Sequence, residues 1–97
     1  MNIIFDFQDL MAKLYLDKDL KRGLEKTVLK LMEEVGELSE AVLLQNREKI
    51  TEEIVDIIAW TLSIANILDI NVEEDFMKKY PNSCPKCKNN PCSCDSI

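Results

Sequence analysis

Residues 24–45 read LEKTVLKLMEEVGELSEAVLLQ, and this stretch decides the fold. Apolar side chains recur in it at alternating steps of four and three residues, at Leu24, Val28, Leu31, Val35, Leu38 and Val42. Such a stripe is typical of a helix that packs along its length against another helix. The spacing therefore predicts a helix from about Leu24 to Gln45. Gly36 lies inside it at a cost of about 1 kcal/mol relative to alanine, so either a neighbouring helix or ligand approaches closely there, or the glycine is merely tolerated.

A first helix is predicted ahead of this one, from about Asp6 to Lys18. Asp6 is a plausible N-cap, and apolar residues follow it at helical spacing. The charged stretch around Asp19, Arg22 and Gly23 is predicted to be a turn.

Two more helices are predicted after residue 45. Asn46 can cap a helix from about Arg47 to Leu68, and Asn71 can cap a short one from Val72 to Lys79. Glu74 is placed to complete a capping box with Asn71. The predicted fold class is therefore all-α, a helical hairpin with flanking helices.

The third predicted helix is apolar on nearly every side between Ile54 and Leu68. A helix of that kind must be covered all round, and one hairpin can hardly cover it. We therefore expect a homodimer or homotetramer in which a four-helix bundle forms on oligomerisation.

Composition limits the classes of function. Residues 31–75 hold twelve Asp or Glu and only two Lys or Arg, which argues against direct nucleic-acid binding and permits cation binding. No apolar run is long enough to span a bilayer, so no membrane association and a cytoplasmic location are expected.

Four carboxylates form the main candidate site. Glu34 and Glu37 are three residues apart on the second helix, and Glu53 and Asp56 repeat that spacing on the third. If the two helices pair antiparallel, the two carboxylate pairs can face each other, and a divalent cation would then neutralise their repulsion. Oxygen ligands favour Mg²⁺ first and Mn²⁺ second, and a chain without histidine is a poor candidate for catalytic zinc or di-iron. A solvated acidic face is the alternative.

At these residues the sequence resembles the MazG-like nucleotide pyrophosphohydrolases. The family pattern Glu-Glu-x-x-Glu is matched by Glu33-Glu34-Val35-Gly36-Glu37, and Glu-x-x-Asp by Glu53-Ile54-Val55-Asp56. The similarity extends over roughly residues 7 to 81 and includes Arg22-Gly23, Trp60, Ala65-Asn66 and the stretch from Glu73 to Pro81.

The resemblance implies an oligomeric, magnesium-dependent enzyme that cleaves nucleoside triphosphates between the α and β phosphates. The products would be a monophosphate and pyrophosphate, and the role would include clearance of non-canonical nucleotides. By position, Glu34, Glu37, Glu53 and Asp56 match the metal ligands. Glu33 matches the first glutamate of the motif, and Glu33 and Glu37 are the candidate catalytic residues.

A triphosphate substrate also needs basic and aromatic partners. The candidates for the phosphates are, in order, Lys79 and Lys78, Arg22 and Lys18. Trp60 could stack on a base or pack in a dimer interface. Asn66 could bind base or sugar, or be a satisfied core amide. The preferred base does not follow from the sequence.

Four cysteines, Cys84, Cys87, Cys92 and Cys94, make a C-x2-C-x4-C-x-C tail. Four thiolates this close suit tetrahedral zinc in a compact knuckle, and disulfides or a mobile tail with free thiols are the alternatives. The predicted division is a helical domain over 1–83 and a cysteine tail over 84–97. The alternative function is a non-catalytic helical module that uses a zinc knuckle to dock a partner.

Overall fold

The structure, a computed structural model, describes residues 2–95, so residues 1, 96 and 97 at the ends of the two predicted regions lie outside it. The described residues form four helices and no strands, which confirms the all-α fold class. The helices are α1 (Ile3–Arg22), α2 (Leu24–Leu43), α3 (Arg47–Ile67) and α4 (Val72–Lys79).

The hairpin of α2 and α3 follows from its short connection. Only residues 44–46 join the two helices, and so short a link returns the chain antiparallel. Gln45 takes the left-handed conformation at φ 55°, and the Asn46 N–H donates to the Ala41 carbonyl over 3.0 Å. The predicted cap is confirmed, because the Asn46 side chain accepts a hydrogen bond from the Lys49 N–H.

Helix α1 is longer at both ends than predicted, and Asp6 is not its N-cap. The N-cap is Asn2, whose side chain makes no capping hydrogen bond. The cap comes instead from α4, because the Glu73 Oε1 accepts from the Ile4 N–H over 3.1 Å. Asp6 lies in the first turn, where its negative charge interacts favourably with the positive end of the helix dipole. The periodicity of α1 alone could not show a cap supplied by a residue 69 positions away.

The predicted turn around Asp19 is wrong, since α1 continues through it to Arg22. Arg22 Nη1 lies 2.8 Å from Asp19 Oδ1, and this pair three residues apart stabilises the last helical turn. The break comes only at Gly23, whose φ of 91° is a conformation that glycine adopts without strain. Thr27, fully buried, donates its hydroxyl to the Gly23 carbonyl at the start of α2.

One glutamine fastens α1 to the connection between α3 and α4. The Gln8 amide donates to the Asn66 side chain (3.0 Å) and to the Ile70 carbonyl (2.7 Å), and its oxygen accepts from the Val72 N–H (3.1 Å). Asn66 in turn donates to the Gln8 carbonyl over 3.0 Å. Asn71 caps α4 as predicted by accepting from the Glu74 N–H.

A single chain buries little apolar surface. Among the described residues the buried apolar side chains are Ala41, Leu62 and Ala65. Many large apolar side chains stay exposed, and on α3 they include Ile54, Val55 and Ile58. Apart from its chain neighbours and the backbone of its own helix, no described atom lies within 4 Å of where a Cβ on Gly36 would stand, so no neighbouring helix of the chain requires that glycine. No helix in residues 2–95 is long and apolar enough to cross a membrane.

We expect Gln8→Ala to lower the free energy of unfolding by about 2 kcal/mol, because it leaves part-buried hydrogen-bonding groups of Asn66 and of the α3–α4 connection without partners. Urea denaturation followed by circular dichroism measures this. Asp17→Ala, at an exposed position of the same helix, should change stability by less than about 0.5 kcal/mol. Equal effects of the two substitutions would contradict the role given to Gln8.

Candidate functional site

Three of the four predicted carboxylate ligands lie together between α2 and α3. One oxygen each of Glu34, Glu37 and Glu53 can be chosen so that all lie within 4.8 Å of one another. The three-residue step places Glu34 and Glu37 on one face of α2, and the antiparallel hairpin sets Glu53 of α3 opposite them. An oxygen-only group of this size suits a hard divalent cation such as Mg²⁺ or Mn²⁺.

Glu53 is the most enclosed member of the group. It is 2% exposed, and no donor in the described chain lies within hydrogen-bonding distance of its Oε2. Its Oε1 lies 3.5 Å from the Nζ of Lys49, one turn earlier on α3. A buried carboxylate oxygen without a partner is costly, and a bound cation would remove that cost. The residues present therefore fit a divalent metal ion.

The carboxylates also shift one another's protonation. The pKa of Glu34 is raised to about 7, first because a protonated Glu34 shares its proton with Glu53, and then because of partial burial and the charges of Glu37, Glu53 and Asp56. The same shared proton lowers the pKa of Glu53. The Glu53 charge raises the pKa of Lys49. Without a metal, the group thus lowers its own charge by keeping a proton.

Asp56, the fourth predicted ligand, is not part of the group of three. It lies one turn beyond Glu53 on α3 and lines a cavity of about 340 Å³ between α1 and α3. Its charge still acts on Glu34, so the acidic group and the cavity are neighbours. The remaining lining residues are Met11, Tyr15, Lys18, Asp19, Arg22, Ala59, Trp60 and Ser63.

Arg22 and Trp60, both predicted substrate residues, meet in this cavity. The Arg22 guanidinium lies 4.8 Å from the centroid of the Trp60 ring, in a cation–π contact. Asp19, 1% exposed, fixes the guanidinium through the 2.8 Å ion pair. The cavity thus combines an aromatic surface, two basic side chains and, at Asp56, a link to the acidic group.

Other predicted site residues lie elsewhere. Glu33 is exposed and its Oε2 is 3.3 Å from the Nζ of Lys30. Asn66 uses both ends of its amide within the protein, on Gln8. Lys78 pairs with Glu74, and the Nζ of Lys79 lies over the Tyr80 ring. Both lysines therefore contact residues of α4 or its C-cap and do not line the cavity.

The four cysteines form a second group of potential metal ligands. Their Sγ atoms all lie within 4.8 Å of one another, and all four thiols are free. The N–H groups of Ser93 and Asn89 lower the pKa of Cys87 to about 5, whereas the neighbouring thiols, that of Cys92 first, raise the pKa of Cys94 to about 12. Four thiolates this close need a counter-charge to ionise together.

Sequence reasoning missed two residues of the site, Lys49 and Asp19. Lys49 could have been found, because it lies four residues before Glu53 and so on the same face of α3. Asp19 could not, because an aspartate in a charged stretch just before a glycine is typical of a turn, and its burial depends on tertiary packing.

A model of the family described as the MazG nucleotide pyrophosphohydrolase domain matches residues 22–88. The match begins at Arg22, includes all four carboxylates and ends just after the first cysteine pair. No match was found among curated proteins.

The raised pKa of Glu34 predicts a pH dependence of stability without divalent cations. Between about pH 4.5 and 7 the folded chain keeps a proton that the unfolded chain loses, so this residue's contribution to stability falls as pH rises. Glu34→Gln should therefore gain stability relative to the unmodified protein on going from pH 5 to pH 8. Urea denaturation at both pH values measures the gain, and Glu33→Gln should show none. A difference for Glu34→Gln that is the same at both pH values would contradict the coupling.

Proposed function

This chain belongs to the MazG nucleotide pyrophosphohydrolase family, and we propose that it hydrolyses nucleoside triphosphates between the α and β phosphates in a Mg²⁺-dependent reaction. The products are a nucleoside monophosphate and pyrophosphate. The observation that carries the proposal is the group formed by Glu34, Glu37 and Glu53, in which the buried Oε2 of Glu53 has no hydrogen-bond donor among residues 2–95.

Members of this family are typically dependent on divalent metals. In the proposal Glu34, Glu37 and Glu53 hold Mg²⁺, and Asp56 joins them from the adjoining turn of α3. When bound, the metal neutralises the phosphates and activates a water for attack. Mn²⁺ has the same preference for oxygen ligands and would substitute.

The glutamates of the site have different proposed roles. Glu37 is the exposed member of the group of three, so it is the carboxylate that can reach a substrate water and take up its proton. Burial fixes Glu53, which positions the group. Glu33, held by Lys30 on the surface, would have to leave that ion pair to take part in catalysis.

The cavity beside Asp56 is the proposed nucleotide site. Arg22 and Lys18 supply positive charge for the phosphates, and Trp60 supplies an aromatic surface for the base. Because Arg22 is already anchored by Asp19, its guanidinium is preorganised before the nucleotide arrives. Asn66 and Lys79 lie outside this cavity, so their roles in binding a nucleotide stay predictions.

We further propose that the enzyme is a homodimer or homotetramer. Support comes from the apolar side chains that a single chain leaves exposed, among them Val55 at 58% and Ile58 at 54% on α3. A second copy is the partner that would convert the hairpin into a four-helix bundle. The alternative of a non-catalytic docking module is not favoured, because the family is an enzyme family.

A panel of ordinary and damaged nucleoside triphosphates, with product identification, tests the activity. At least one should give monophosphate and pyrophosphate with Mg²⁺, and a chelator should abolish the reaction. Glu37→Gln and Asp56→Asn should each lower kcat/KM on the order of 100-fold or more. Glu40→Gln, an exposed change on the same helix, should leave it within about twofold. Absence of pyrophosphate across the panel with Mg²⁺ or Mn²⁺ would refute the proposal.

Substitutions at Trp60 and Val55 separate nucleotide binding from assembly. Trp60→Ala should raise KM on the order of tenfold, a loss comparable to one base–aromatic stacking contact, and should leave the mass in light scattering unchanged. Val55→Asp should reduce that mass to the 11.2 kDa of one chain, because it places a charge in the proposed interface. If Trp60→Ala reduces the mass instead, this residue belongs to the interface.

A further inference from the structure

The cysteine tail carries a metal site of a different kind from the acidic group, and we propose that Cys84, Cys87, Cys92 and Cys94 bind one Zn²⁺ as a closed, structural tetrathiolate centre. This proposal is independent of the pyrophosphohydrolase activity. It rests on the arrangement of the sulfur atoms, on the backbone that holds them, and on the composition of the segment.

The distances between the sulfurs are those of a zinc tetrahedron. Cys84 Sγ lies 3.8 Å from Cys94 Sγ, and Cys87 Sγ lies 3.9 Å from Cys92 Sγ. With a Zn–S bond of about 2.3 Å, the edge of a regular tetrahedron of sulfurs is about 3.8 Å. All four Sγ atoms lie within 4.8 Å of one another, so one ion can contact them all. Sulfurs at these separations form no disulfide, and the four cysteines are free.

Backbone hydrogen bonds close the loop that carries the first cysteine pair. The Lys88 N–H donates to the Cys84 carbonyl over 2.8 Å, and the Cys84 N–H donates to the Asn89 carbonyl over 3.0 Å. Lys88 adopts φ 65°, a left-handed conformation that costs a non-glycine residue about 1 kcal/mol. A conformation of that cost persists only where the surroundings impose it.

Backbone N–H groups also point at two of the four sulfurs. The Ser93 N–H donates to Cys87 Sγ, and the Cys94 N–H donates to Cys92 Sγ, each over 3.3 Å. Four thiolates around Zn²⁺ leave two net negative charges, and such donors, with Lys86 and Lys88 in the same loop, reduce that charge.

The cysteine segment has no apolar core of its own. Residues 82–95 read NSCPKCKNNPCSCD and contain no aliphatic side chain larger than proline and no aromatic one. Zinc binding, with release of the thiol protons, would supply the folding free energy that an apolar core supplies elsewhere. Because all four positions are filled by protein, the centre has no open site for a substrate, and its role is structural.

Metal analysis of the full chain, purified under reducing conditions, incubated with zinc sulfate and gel-filtered, tests the proposal. One zinc per chain is expected, and a chain loaded with Co²⁺ instead should show the absorption of tetrahedral cobalt with thiolate ligands. Cys87→Ser should bind zinc at least about tenfold more weakly, whereas Ser93→Ala, which removes a neighbouring hydroxyl but no ligand, should bind it fully. Bound iron in place of zinc, or a zinc affinity of Cys87→Ser equal to that of the unmodified protein, would overturn the proposal. So would an intact mass four hydrogens lower than the sequence mass, because it would mean two disulfides.

Limited trypsin digestion supplies a second readout that does not depend on enzymatic activity. Lys86 lies between Cys84 and Cys87, and Lys88 lies between the two cysteine pairs, so zinc should protect both from cleavage and a zinc chelator should expose them. The helical content measured by circular dichroism should not change. Cleavage at both lysines at the same rate with and without zinc would show that the metal does not order this loop, and the proposal would fail.

Discussion

The mutual repulsion of three carboxylates at the contact between α2 and α3 is the constraint on which the rest of this structure depends. The short connection pairs α2 and α3 antiparallel, and the same pairing sets Glu34 and Glu37 against Glu53, while Val28, Val35 and Val42 of the apolar stripe stay exposed. In the chain alone the repulsion is partly relieved in two ways. The pKa of Glu34 is raised to about 7, so this residue stays protonated to higher pH, and the Nζ of Lys49 lies 3.5 Å from the Oε1 of Glu53. In the described chain the buried Oε2 of Glu53 has no hydrogen-bond partner, and a divalent cation is the group that fits it.

The two groups of potential metal ligands differ in every property that selects an ion. One consists of carboxylate oxygens on rigid helices and adjoins a cavity, whereas the other consists of sulfurs in a loop without a core. Hard and soft donors of this kind do not compete for the same metal. The carboxylates suit an ion that exchanges with substrate, and the cysteines suit one that stays bound.

Much of the fold could be predicted from the sequence, because the signals were local. The stripe of α2 and the caps Asn46 and Asn71 placed three helices to within about two residues of their ends. The ends of α1 could not be predicted, because they depend on Glu73 at one end and on the burial of Asp19 at the other. The spacing of Glu34, Glu37 and Glu53 indicated their group correctly, but whether Asp56 joins it depends on side-chain positions that spacing does not determine. Gln8 carried no signal at all, since a glutamine on a helix is ordinarily a surface residue.

The attachment of α4 to α1 joins two parts of the molecule that are far apart in sequence. Glu73 caps the first turn of α1, and Gln8 holds the residue that begins α4, so these two helices are joined as one piece although almost the whole hairpin separates them in sequence. The cysteine tail leaves from the far end of α4. The helix α1 therefore holds α4 and its tail at one end and carries, at the other, Asp19 and Arg22 of the cavity beside Trp60.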